Sequence, residues 1–255
     1  MSQNLQQPQN LPTKYIILCH GRCGSTFLQE ELQEIGPLKD EVTSLGEIYN
    51  ENYIKTIISL DDPYWHERHE KPIEFINYIY SRMGRQTVGS KILYPQINKN
   101  GLDILLKSHE YKVIFLYRKN ILQAAISMIL THQTQEWHVK KEQFIKIPSP
   151  FEVDYNVLDR YIDDITTFIT TCKNELKDNF FEVAYEDLIN LEKINQICNF
   201  LGVSSKDVLT SDTGKQQSSF TYSSILNIHD IENKYAPMYG TLNDFHSSNI
   251  EFWKQ

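Results

Sequence analysis

Apolar residues in this chain fall into two alternating kinds of pattern. Four short runs are rich in β-branched and aromatic residues: Tyr15 to Cys19, Thr87 to Leu93, Lys112 to Tyr117 and Phe180 to Ala184. Short runs of this kind read as strands of a parallel sheet covered on both faces. Between them the apolar positions repeat with helical spacing. Leu28, Leu32 and Ile35 share one face of a segment from Thr26 to Ile35, and Ile121, Leu122, Ala125, Ile126, Ile129 and Leu130 recur across Asn120 to Thr131. A third stripe runs from Leu158 to Cys172. A fourth, from Ile194 to Leu201, is closed by Gly202 at an expected helix C-terminus. Alternation of this type predicts a three-layer α/β fold with a central parallel sheet flanked by helices. The stretches 38–84 and 132–150 lack a period and are expected to form loops and short helices over the carboxyl edge of that sheet.

The polar, Gln-rich residues 1–13 read as a loose tail, and residues 14–255 as one domain. The tail has no basic region followed by an apolar run, and no stretch approaches the roughly 20 apolar residues a membrane crossing needs. Four cysteines, Cys19, Cys23, Cys172 and Cys198, lie in apolar segments or a glycine loop, as expected of reduced thiols in a cytoplasmic protein. The formal charge of −8 and the absence of a Lys/Arg run argue against nucleic acid as a partner. The same balance favours a neutral or cationic small molecule over a polyanion.

The segment from Tyr15 to Leu32 carries the most chemistry. A strand ends at Cys19, a loop of His20, Gly21, Arg22, Cys23 and Gly24 follows, and a helix starts near Ser25 or Thr26. Thr26 and Gln29 have the spacing of a capping pair. Glycines that free backbone amides, a helix N-terminus and a full charge on Arg22 suit a phosphate or phosphosulfate. Taken alone, the loop also suits an ordinary strand-to-helix turn. It lacks the Lys of a nucleoside-triphosphate loop, because Gly24 is followed directly by Ser25. Neither Cys19 and Cys23 with His20 nor His66 with His69 makes a metal-site pattern, so no metal is expected.

These residues resemble the sulfotransferases that use 3′-phosphoadenosine-5′-phosphosulfate (PAPS). Arg22, Cys23, Gly24, Ser25, Thr26 and Phe27 are similar to that family's 5′-phosphosulfate loop. The run ending at Arg118, with Ser127 in the next helix, is similar to its 3′-phosphate motif. Ala184 to Leu188 and Thr213 to Ser218 resemble two later signatures, the second bringing Lys215 near the cofactor. Gly46-Glu47, Gly89-Ser90-Lys91 and Gln133 to Trp137 resemble the bacterial carbohydrate branch that includes trehalose sulfotransferase. In that branch a second acid follows the first by three residues, whereas here Asn50 stands there and Glu51 comes one place later.

The resemblance implies a P-loop-like form of the three-layer α/β fold, PAPS as sulfuryl donor, PAP (adenosine 3′,5′-bisphosphate) as product, and no metal. It implies catalytic roles for Arg22 and Lys91, with Glu47, Glu51 or His20 as the base that takes the acceptor's proton. Tyr49, Gln133 and Trp137 are the candidate acceptor contacts. The acceptor itself is a carbohydrate or natural product of unspecified identity. A nucleotide-dependent kinase and a PAP-binding module without turnover are the competing expectations.

Overall fold

A computed structural model of the chain describes residues 13–35, 41–84, 87–137, 146–176, 178–211 and 222–242. Five parallel strands, β1 (Thr13–Cys19), β2 (Val42–Glu47), β3 (Thr87–Leu93), β4 (Lys112–Tyr117) and β5 (Phe180–Ala184), lie in the order β2-β3-β1-β4-β5. Three strands keep the bounds their apolar runs predict, and β1 starts two residues earlier, at Thr13. The fifth, β2, lies inside the stretch that has no period. Its sequence, VTSLGE, carries two hydroxyls and a glycine instead of a continuous apolar run.

Nine α-helices complete the described chain: α1 (Ser25–Gln33), α2 (Glu51–Ile54), α3 (Pro63–His66), α4 (Pro72–Ser81), α5 (Lys99–Lys107), α6 (Ile121–Thr134), α7 (Tyr155–Glu175), α8 (Leu191–Leu201) and α9 (Ile228–Tyr239). One sheet face buries Ile16, Leu18, Val88, Ile92 and Phe115 against α4, α5 and Phe168 of α7. The opposite face buries Tyr15, Ile17, Ile114, Leu116 and Val183 against Leu28 and Leu32 of α1 and Ile194, Ile197 and Leu201 of α8. Helix, sheet and helix therefore form three layers, and a third apolar cluster locks α6, α7 and α9 together at one side.

The helix ends follow their chemistry. Asn120 caps α6 by accepting from the Gln123 amide at 2.8 Å, and Gly202 ends α8 in the left-handed conformation that glycine adopts without strain. The strands β1, β3 and β4 end level with one another, with Cys19 opposite both Leu93 and Leu116. All the connections that carry the expected functional residues leave this carboxyl edge, as expected for a parallel sheet.

Candidate active site

The loop from His20 to Gly24 turns the chain from β1 into α1. Arg22 and Gly24 both take positive φ, 65° and 80°. The first is uncommon for a residue with a Cβ, and such conformations gather at functional sites. A Cβ on Gly24 would also lie 2.6 Å from the Tyr185 ring, so no other residue fits there. Gly24 is the N-cap of α1 and has no side chain to offer its amides. The expected Thr26–Gln29 capping pair does not form, because Thr26 already lies within the helix. Its hydroxyl accepts from Lys91 Nζ at 3.3 Å instead. Cys23 closes the loop, its thiol donating to the His20 carbonyl at 2.7 Å, while Ser25 and Phe27 are buried beneath it.

Two arginines come together at this loop. Arg118, buried at the end of β4, donates to the side-chain Oε1 of Gln123 and, at 3.4 Å, to the Arg22 backbone carbonyl. Its guanidinium lies 4.5 Å from the centre of the Tyr185 ring. Arg22 donates to the buried Ser127 hydroxyl at 3.1 Å and to the Trp137 carbonyl at 2.8 Å. Burial, and then the charge of Arg118, bring the Arg22 pKa down to about 10. Two cations held this close in low dielectric repel one another, and an anion between them relieves that repulsion.

The Ala184–Leu188 signature has a mechanical explanation here. Tyr185 backs Arg118 and fills the space beside Gly24, while Glu186 accepts from the backbone amides of Lys119 and Asn120 at 3.1 and 3.2 Å. The turn after β5 thereby fixes the turn after β4, and with it Arg118. Gln123, Tyr185 and Glu186 were not among the expected site residues.

A second cluster stands on the β2 side. The register of β2 against β3 slips by one residue at Gly46, so that Leu45 pairs with Ser90 and Glu47 with Lys91. The bulge sets the two charged side chains directly opposite each other, and Lys91 Nζ lies 3.2 Å from Glu47 Oε1. Gly46 is required because a Cβ would lie 2.6 Å from the Tyr53 ring, whose hydroxyl accepts from the Gly46 amide at 2.8 Å. Glu47 Oε2 accepts from Gln96 at 2.6 Å and Asn50 at 3.2 Å.

Burial alone raises the Glu47 pKa. The Lys91 charge and the hydrogen bonds from Gln96, Asn50 and Lys91 outweigh it, holding the carboxyl below its usual range. Lys91 is only 4% exposed, so it is not a solvated strand-end lysine. Through Thr26 it joins this cluster to the first turn of α1.

The remaining expected residues divide. His20 is buried, its Nδ1 within 2.8 Å of the Gly21 carbonyl, and burial lowers its pKa. Glu51 is exposed at the start of α2 and has no hydrogen bond or ion pair with the Lys91 cluster among the described residues. Tyr49 is buried in the core against Phe75, with its hydroxyl on the Arg68 carbonyl, so it does not line the mouth of the site. Trp137 is exposed beside Arg22, Gln133 is exposed on the last turn of α6, and Lys215 lies outside the described residues. Gln96 and the holding role of Asn50 went unread in the sequence. Among the described residues no group of three or more His, Cys, Asp or Glu is placed to hold a metal, and no helix is long and apolar enough to cross a membrane.

The family model described as the sulfotransferase domain matches residues 12–234. Among solved structures, a sulfotransferase from Alicyclobacillus acidocaldarius is similar at TM-score 0.50 and 12% identity, over 96% of this chain and 99% of that one. A mouse sulfotransferase complexed with PAP is similar at TM-score 0.48 and 15% identity, over 95% of this chain and 77% of the other. The first likeness is one of fold. No curated protein matches the chain in sequence.

Proposed function

The chain belongs to the sulfotransferase domain family, and from that premise we propose that it moves a sulfuryl group from PAPS to a hydroxyl or amine of a small acceptor, releasing PAP. The observation that carries the reading is the nearness of half-buried Arg22 to buried Arg118 at the loop leading into α1, two cations whose mutual repulsion an anionic nucleotide would relieve. The donor set fits PAPS. Arg22 and the Ser25 and Thr26 amides suit its 5′-phosphosulfate, and Arg118 with Ser127 suits its 3′-phosphate. PAPS supplies an activated sulfur: the acceptor's oxygen or nitrogen bonds to it as the bridging S–O bond breaks, and that electron pair leaves on the 5′-phosphate of PAP.

The protein's part is positioning and charge. Lys91 stands between Thr26 and Glu47, where its ammonium can stabilise negative charge next to the loop. Glu47 takes the acceptor's proton. Its depressed pKa keeps it ionised at neutral pH, and Gln96 and Asn50 hold one of its oxygens while the other faces Lys91. Glu51 is the poorer base because it stands exposed at the start of α2, and His20 because its ring is buried against the Gly21 carbonyl. The bacterial carbohydrate branch is kept as the sequence relative of the β2 cluster, and a cytoplasmic location is the setting that fits a nucleotide donor.

Isothermal titration calorimetry tests the reading directly. PAP should bind the wild-type protein, ATP with magnesium should bind more weakly, and Arg118→Ala should lose at least about tenfold in PAP affinity. Absence of PAP heat, or an Arg118→Ala variant that binds as the wild type does, overturns it.

A further inference from the structure

Helix α7 packs beside the loop that carries His20 and Arg22, and none of its residues is among those assigned to the nucleotide. Tyr161, Asp164 and Phe168 lie on one helix face at i, i+3 and i+7 spacing. Phe168 is fully buried, with its ring 5.2 Å from Tyr94 and 6.3 Å from His20. Tyr161 stacks on His132 at 6.2 Å, and His132 meets the exposed Trp137 indole edge-on at 5.1 Å. Asp164 sits between these two sets of rings. It is exposed, and its charge reaches both the His20 ring and the Tyr94 hydroxyl. It has no hydrogen bond or ion pair with any described residue. Arg160, one turn earlier, lies instead 5.9 Å from the Tyr161 ring centre.

A carboxylate among aromatic rings is a recognition element for a cation. The charge attracts an ammonium or guanidinium, and the ring faces add cation–π attraction. The basic groups Arg22, Arg118 and Lys91 are committed to the loop, to Ser127 and to Glu47. The net charge of −8 also draws cations toward the molecule. We propose that Asp164, flanked by Tyr94 and Tyr161, selects an acceptor that carries an ammonium or guanidinium group away from the atom that is sulfated. This inference rests on the sulfotransferase reading and names the acceptor class for that site.

Two charge series test it. One is phenolic (tyramine, para-ethylphenol, para-hydroxyphenylacetate) and the other aliphatic (aminopentanol, hexanol, hydroxyhexanoate). Each compound is titrated calorimetrically into PAP-saturated protein, and its sulfated product is quantified by mass spectrometry with PAPS. In at least one series the cation should bind about 3- to 10-fold more tightly than its neutral partner, with the anion weakest. Asp164→Asn should erase that preference, and Asp164→Lys should reverse it, both without changing the PAP heat.

Equal affinity for cation and neutral compound in both series overturns the inference, as does a preference that survives in Asp164→Asn or failure of every compound to bind. Absence of heat with PAP alone is a separate result: it defeats the sulfotransferase reading, and the inference falls with it.

Discussion

The residues that carry charge in the site were readable from the sequence, but the atoms that hold them were not. Arg22, Arg118, Glu47 and Lys91 stand in a glycine loop or toward the carboxyl ends of strands, and Ser127 in the helix that follows Arg118, where spacing points to them. Gln96, Asn50, Gln123 and Tyr185 are ordinary polar or aromatic residues: strand order brings Gln96 to Glu47 and Tyr185 to Arg118, while Asn50 and Gln123 lie three and five positions from the charges they hold with no pattern to mark them. Glu47→Gln tests the base most directly. PAP affinity should be unchanged while turnover falls on the order of 100-fold or more, measured with the first acceptor found. Because the Glu47 pKa is depressed, wild-type kcat/KM should stay flat as pH falls toward the ordinary carboxylate range and decline only below it.

His20 gives a stability prediction of the opposite kind. Burial lowers its pKa, so the folded state binds its proton less readily than the unfolded chain does. That penalty is absent above the ordinary imidazole value of about 6.5 and grows as pH falls below it. Chemical denaturation of the wild type should therefore show lower stability at acid than at neutral pH. His20→Phe, which keeps a ring beside Phe168, should narrow the gap.

At the scale of elements, the expected four strands and four helices all formed, and among the described residues β2 was the one strand that went unseen. A short edge strand with a bulge at Gly46 breaks the alternation or continuous apolarity by which strands are recognised. The same bulge aligns Glu47 with Lys91. Gly46→Ala should push Tyr53 away, lower the melting temperature and reduce turnover more than PAP affinity. Gly24→Ala acts on the other half of the site. It combines a φ of 80° with a clash against Tyr185, and the expected cost is about 1–3 kcal/mol together with weakened PAP binding. Thermal melts with and without PAP separate the two effects.

At the scale of the whole molecule, α1 is anchored at both ends. Its first turn meets Lys91, and its buried Glu31 accepts from Lys206 Nζ, from the Thr210 amide at 2.7 Å and from the Ser211 amide at 2.6 Å. This ion pair joins residues 175 positions apart, a separation that no local pattern reveals. Both charges are nearly inaccessible to solvent. Lys206→Met leaves a buried carboxylate without its counter-charge and should cost about 3–5 kcal/mol in urea denaturation. The double variant Glu31→Leu/Lys206→Met should recover much of that loss.

The strand order has a further consequence for how such a protein diversifies. Glu47 lies on β2, at the sheet's rim, whereas Arg22 and Arg118 follow β1 and β4 in its interior. Randomising the chain around α2 and α3 should therefore remodel what is modified while leaving untouched the machinery that loads the donor. Libraries built on that rim should keep their nucleotide grip as their substrate range drifts.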